Sequence, residues 1–133
     1  MLAARTETRE AKRRDLTGPA LRTFFRLASA WNLTAEQERA LLGSPGRSTY
    51  FRWKKDQTGA LPKDALERIS YLLGIYKALH ILFPNPAQAD RWIHQPNDAP
   101  LFGGHPALQR MLGGQVADLY RVREYLDAQR GGN

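Results

Sequence analysis

The segment from Leu66 to Phe83 constrains this chain most. Leu66, Ile69, Leu72, Leu73, Ile75, Tyr76, Leu79, Leu82 and Phe83 recur at helical spacing and cover most of a helix circumference. A helix that is apolar nearly all round must be wrapped by other elements, so the segment predicts a central, buried helix. Lys77 and His80 interrupt its apolar run, which is also shorter than the roughly 20 residues of a membrane span. No stretch alternates apolar and polar residues as a strand would, and no internal repeat is present. The expected fold is all-α.

The flanking segments supply the wrapping. Leu21, Phe24, Phe25, Ala28 and Trp31 form one apolar stripe and predict a helix from Pro19 to about Asn32. Thr34-Ala35-Glu36-Gln37 matches a capping box, which starts a short helix ending near Leu42, with Gly43 as a left-handed cap. Ser44-Pro45-Gly46 is a turn into a further helix, Arg47 to Lys55. Asn85-Pro86 opens another short helix with Ala89, Trp92 and Ile93 inward. After a Pro/Gly-rich connection, one helix runs near Pro106–Leu112 and a last one from Gln115 to about Gln129, burying Val116, Leu119, Val122 and Leu126. Residues 1–17 carry only Leu2 and Leu16 as large aliphatics and read as a charged arm, frayed or weakly helical. Such an arm can also lie along a phosphate backbone.

Charge divides the chain. Residues 1–77 hold 15 Lys and Arg against 8 Asp and Glu, whereas residues 78–133 hold 5 of each. A basic module joined to a neutral one suggests a phosphate-binding part and a protein-binding part. No signal core follows the N-terminal charges, so the expected location is cytoplasmic and no membrane partner is expected. Cysteine is absent, which excludes disulfides, thiolate metal sites and cysteine nucleophiles. His80, His94 and His105 lack zinc-ligand spacing, the glycine pairs match no phosphate-cradling loop, and no serine sits in a nucleophile elbow. Neither catalysis nor a cofactor is expected.

Thr34 to Lys55 has the parts of a helix-turn-helix. At 100° per residue Tyr50 and Trp53 share an inward side, with Leu42 and Tyr50 packing between the two helices. Ser48, Arg52 and Lys55 share the outward side, with Thr49 on its flank. In such a motif the second helix enters the major groove and its first residues meet base edges. Arg47 and Arg52 suit phosphate or the guanine edge, Ser48 and Thr49 suit phosphates or bases, and Lys54 and Lys55 supply positive charge.

Leu41-Leu42-Gly43 and Arg47-Ser48-Thr49-Tyr50-Phe51-Arg52-Trp53-Lys54, followed by Asp64 to Ile69 and Leu82-Phe83, resemble the Xre-type helix-turn-helix of bacterial antitoxins. Ala89-Asp90-Arg91-Trp92, Pro96-Asn97, Leu101-Phe102-Gly103-Gly104-His105-Pro106 and the Leu108–Gly114 segment extend the resemblance to the Xre/MbcA/ParS antitoxins, from about residue 20 almost to the end. Where many relatives have Thr before that Pro, this chain has His105. The resemblance implies an N-terminal DNA-binding module packed on a small helical toxin-binding domain. The divisions expected are an arm at 1–17, the helix-turn-helix module at 18–62 and the toxin-binding domain at 63–133. It implies a cognate RES-domain toxin that consumes or transfers from NAD, whose cleft the C-terminal domain covers, and repression of its own operon through operator DNA. NAD is then the toxin's substrate and no cofactor of this chain. The implied toxin-facing residues are Phe102, Gly103, Gly104, His105, Met111, Tyr125 and Arg130, with the tail from Tyr125 to Asn133 nearest the NAD cleft. A homodimer is expected as well, because one such motif reads one half-site and the Leu66–Phe83 helix with Phe24, Phe25 and Trp31 offers apolar surface. The competing readings are a free-standing regulator with a C-terminal dimerisation domain and the DNA-binding part of a recombinase. The latter lacks room for a catalytic carboxylate domain.

Overall fold

The computed structural model describes residues 2–131. It contains α1 (Leu2–Ala30), α2 (Ala35–Leu41), α3 (Arg47–Asp56), α4 (Lys63–Leu82), α5 (Pro86–Arg91), a 3-10 turn (Trp92–His94), α6 (Ala107–Met111) and α7 (Val116–Gln129). Among the described residues there is no β-strand, only an isolated bridge between Pro96 and Pro106. The fold is all-α, and no described helix is long and apolar enough to cross a membrane.

α4 is the axis. Leu72, Ile75, Ala78 and Leu79 are fully buried, with α1 against one side of the helix, α7 against another and α5 near its end. Phe24 and Trp31, expected to help a homodimer, are wholly buried inside the chain, so they have no surface to offer a second copy. Leu16 is exposed, and Leu66 and Leu73 half-exposed, along an open apolar groove of about 310 Å3 between α1 and α4.

The first helix takes in the arm at 1–17, read from the sequence as frayed or weakly helical, and so starts well before Pro19. It runs unbroken from Leu2 through Pro19 to Ala30. Thr17 is fully buried. Its hydroxyl donates to the Arg13 carbonyl at 2.7 Å and accepts the Leu61 N–H at 3.0 Å. Gly18 permits the same close approach, since a Cβ there would lie 3.3 Å from the Gln57 carbonyl. These two contacts hold the helix through a proline that would otherwise end it. The bond Pro19 cannot donate would have gone to the Asp15 carbonyl, and Asp15 is exposed to water.

The short helices follow their local codes. In the Thr34 capping box, Oγ1 accepts from the Gln37 N–H at 3.2 Å while Gln37 Oε1 accepts from the Thr34 N–H at 2.9 Å. Asn85 Oδ1 accepts from the Gln88 N–H at 3.1 Å, with Pro86 in the first turn of α5. Polar links tie the C-terminal helices to the N-terminal ones. The His94 ring donates to the Trp31 carbonyl at 2.6 Å, and His80 pairs with Asp90 at 2.9 Å. Arg68, buried on α4, donates from Nε to Asp64 at 2.8 Å and from its terminal nitrogen to the Gly114 carbonyl at 3.0 Å.

Candidate functional site

α2, the Gly43–Gly46 turn and α3 form the first surface. A buried carboxylate sets the angle between the two helices. Glu38 on α2 is 6% exposed; it accepts the Tyr50 hydroxyl from α3, and its Oε1 lies 3.2 Å from Lys54 Nζ. Burial, and then the Glu38 carboxylate, push the Tyr50 phenol above its ordinary value, so it remains a donor. Arg39 donates to the Pro45 carbonyl at 3.0 Å and pins the turn. A second bond from Arg39, to Glu36 at 3.0 Å, and the charge behind it hold the Glu36 carboxyl below its usual range.

This frame distributes the expected reading residues. Arg47, Ser48, Arg52 and Lys55 are exposed, and Thr49 is half-buried on the flank. Arg47 begins α3 and lies 3.5 Å from Glu36. Arg52 and Lys55 have no carboxylate within 4.0 Å among the described residues. Lys54 has a second contact that the sequence did not indicate. Its amine lies 3.2 Å from Glu38 and 5.7 Å from the centre of the Phe25 ring, so it braces α3 against α2 while its side chain stays about half exposed. Sequence reasoning missed Glu38, whose partners lie on the next helix, and Phe51, which is 56% exposed on α3 beside Ser48 and Lys55. The spacing alone places Phe51 at the edge of that face, and its exposure was the missing signal.

The second surface is built around Pro96-Asn97 and the Gly103-Gly104 turn. Gly104 donates its N–H to the Asn97 carbonyl at 2.8 Å, and Asn97 Oδ1 caps the Ala99 N–H at 2.9 Å. Beneath the turn lies an aromatic cluster: Trp92 edge-on to Phe102 at 5.7 Å, Phe102 edge-on to Tyr125 at 5.2 Å, and Trp92 stacked on Tyr125 at 6.3 Å. Gly103, Gly104 and His105 are exposed, next to an open cleft of about 340 Å3 lined by Leu101, His105, Gln109, Arg110 and Asp118 among others. Arg110 and Asp118 pair across it at 2.9 Å.

Two of the expected toxin-facing residues are buried in this structure. Phe102 is 5% and Met111 2% exposed, because α7 packs over α6 and closes them into the core. They shape the surface without forming it. Tyr125 is half-buried in the cluster, and Arg130 is exposed, 3.6 Å from Asp127. Of the expected tail, Gly132 and Asn133 lie outside the described residues. Among the described residues no group of His, Asp and Glu is arranged to hold a metal.

A helix-turn-helix with an outward cationic and hydroxyl face, joined to a second helical surface, defines a regulatory protein with two binding faces. Residues 10–74 match the antitoxin Xre-like helix-turn-helix domain, and residues 78–132 match the antitoxin Xre/MbcA/ParS C-terminal toxin-binding domain. The chain is 57% identical over 112 residues to the Sinorhizobium fredii protein named "Uncharacterized protein y4oB", a match covering 84% of each chain. The chain belongs to the Xre/MbcA/ParS antitoxin family. It is an antitoxin of a toxin–antitoxin system, non-enzymatic, with a toxin as its partner and a helix-turn-helix for DNA.

Proposed function

We propose that this antitoxin neutralises a RES-domain toxin by covering its NAD-consuming cleft and represses its own operon by reading an inverted repeat as a homodimer. The observation that carries the reading is the pairing of two unlike faces on one frame. Arg52 and Lys55, with no carboxylate within 4.0 Å among the described residues, and the Ser48 hydroxyl stand out from the basic half, with Thr49 half-buried on the flank. The neutral half presents the Gly103–His105 turn beside an open cleft. An interface core prefers few unpaired charges, and the balanced charge of residues 78–133 suits that preference.

In this reading Arg47, Ser48, Thr49 and Arg52 meet base edges and phosphates, with Lys55 adding charge. Phe51 offers apolar contact to a thymine methyl at the edge of the same face. Gly103, Gly104, His105 and Arg130 meet the toxin, and Tyr125 supports them. The α1/α4 groove with Leu16, Leu66 and Leu73 is the apolar surface left for a second copy.

Co-expression with the adjacent gene tests the first half: a co-purifying complex, restored growth and preserved cellular NAD are expected. A partner that leaves NAD untouched refutes the RES assignment. Gel-shift titration tests the second half. Arg52→Ala should weaken operator binding by about 1–3 kcal/mol if it makes a bidentate base contact, while toxin neutralisation stays intact. A monomer mass by light scattering at micromolar concentration, without DNA or toxin, counts against the dimer. The tail is tested by deleting Arg130 to Asn133 alone, because Leu126 is core and a longer deletion would damage α7.

A further inference from the structure

Before Thr17, the described side chains of α1 are mostly charged and turned to water. Thr17 is the first buried residue of this helix among those whose side chains are described; Arg9, Lys12, Arg14, Asp15 and Leu16 before it are exposed. Between them Arg13 is half-buried. The exposed side chains here are mostly charged, so the surface they offer suits a charged partner. Residues 1–17 carry Arg5, Arg9, Lys12, Arg13 and Arg14 against Glu7, Glu10 and Asp15.

Its position relative to α3 says which partner. Arg14, Gly18 and Arg22 are spaced four apart and lie on one face of α1. Gly18 brings that face against the end of α3, where a Cβ would lie 3.3 Å from the Gln57 carbonyl and 3.1 Å from the Arg22 guanidinium. Gln57 caps α3 in the left-handed conformation, two positions after Lys55. Arg22 is exposed, with no carboxylate within 4.0 Å among the described residues. Arg14 and Arg22 thus continue the cationic end of α3 around the corner onto α1.

We propose that Arg14 and Arg22 on α1 form a second phosphate-binding surface, which grips the DNA backbone flanking the half-site that α3 reads. This inference rests on the DNA-reading role of α3 and adds a contact that role does not need. The partner is phosphate because the ridge is cationic and continuous with the reading helix. The Thr17 bond to Leu61 fixes the direction of the arm before binding, so less ordering is required on contact.

The test uses the full-length chain and fluorescence anisotropy between 50 and 200 mM salt, conditions in which phosphate contacts dominate the salt response. The probes are the operator inverted repeat with flanking duplex, the same repeat without flanks, and a scrambled duplex with flanks. On the flanked operator, the double variant Arg14→Ala/Arg22→Ala should lower the slope of log affinity against log salt by about 1.8, at about 0.9 per phosphate lost. Arg14→Lys/Arg22→Lys should restore the slope, and the preference for operator over scrambled sequence should not change. Helical circular dichroism and the melting temperature of both double variants check that the fold persists. An unchanged slope in a folded alanine variant overturns the proposal. So does an unchanged slope with lost toxin affinity, which would give the ridge to a protein partner. A wild-type chain that does not prefer operator to scrambled duplex would instead sink the α3 reading, and the slope comparison reports on the arm independently of it.

Discussion

Tyr50→Phe isolates the bond that fixes α2 against α3. The ring itself stays. Tyr50 is 1% exposed and packs edge-on to Phe51 at 5.0 Å and Phe25 at 6.3 Å, so the substitution opens no cavity around the ring. Only the hydroxyl donated to Glu38 is lost. A hydrogen bond to a charged group contributes about 1.5–3 kcal/mol, and a buried acceptor left short of a partner adds its own cost. Lys54 remains 3.2 Å from the same oxygen, so Glu38 is not abandoned and the lower part of that range applies. The expected loss is about 2 kcal/mol. For a chain of this size that corresponds to a fall in melting temperature of about 6–8 °C. Urea denaturation of Tyr50→Phe, Lys54→Met and the double variant measures both the loss and the coupling between the two partners. Lys54 is about half-exposed, so its removal alone should cost less than about 1 kcal/mol. In the double variant Glu38 loses both partners, and the combined cost should exceed the two single costs added together. A Tyr50→Phe chain within about 0.5 kcal/mol of wild type, below the usual worth of one hydrogen bond, would refute the claim that this bond sets the motif.

Three further outcomes follow from particular contacts. Gly43→Ala meets a φ of +97°, with Asp64 Oδ2 2.9 Å and Arg68 Nε 3.2 Å from the new Cβ; it should cost more than the roughly 1–2 kcal/mol of left-handed strain alone. Gly59→Ala, at φ +99° with open space around it, should cost that strain only, and equal urea midpoints would remove the steric argument. Met111→Leu should leave toxin affinity unchanged and cost less than about 1.5 kcal/mol, whereas Met111→Ala should cost about 2–5 kcal/mol; a large affinity loss in the leucine variant, by calorimetry, would return Met111 to the interface. Glu36 has a folded pKa depressed below 4.5, chiefly by its bond and charge contact with Arg39, so its contribution is present above pH 4.5 and disappears as pH falls through the folded value. Wild type should therefore exceed Glu36→Gln in stability at neutral pH and converge with it in acid; parallel urea-midpoint curves from pH 7 to 3 would contradict this.

Local codes were legible in the sequence, and contacts across the fold were not. The Thr34 and Asn85 caps are written within four residues, and both helices start where the caps say. The outward placement of Ser48, Arg52 and Lys55 follows from 100° spacing once Tyr50 and Trp53 are inward. Thr17-Gly18-Pro19 shows why the rest was hidden. Each residue by itself favours a break, but the Leu61 N–H that donates to the Thr17 hydroxyl lies 44 positions away. Lys54 reads as one more cation on a basic helix because Glu38, which holds its amine, is 16 positions earlier on another element. Phe102 and Met111 sit in a glycine-rich stretch that looks like surface, and α7 arrives later in the chain to bury them.

The helix at the centre has a geometric consequence for how the two faces can evolve. The helix-turn-helix match ends at residue 74 and the toxin-binding match begins at residue 78, yet α4 runs from Lys63 to Leu82 without interruption. The junction is a stretch of helix, not a tether, so the faces are held in fixed rotational phase. One inserted residue would turn the toxin face by about 100° relative to the DNA face and advance it by about 1.5 Å. Only insertions close to whole turns preserve the phase, and each would also have to renew the grip of Arg68 on Gly114. If both proposed faces are occupied at once, the bearing of a docked toxin on the double helix is set by the residue count of α4.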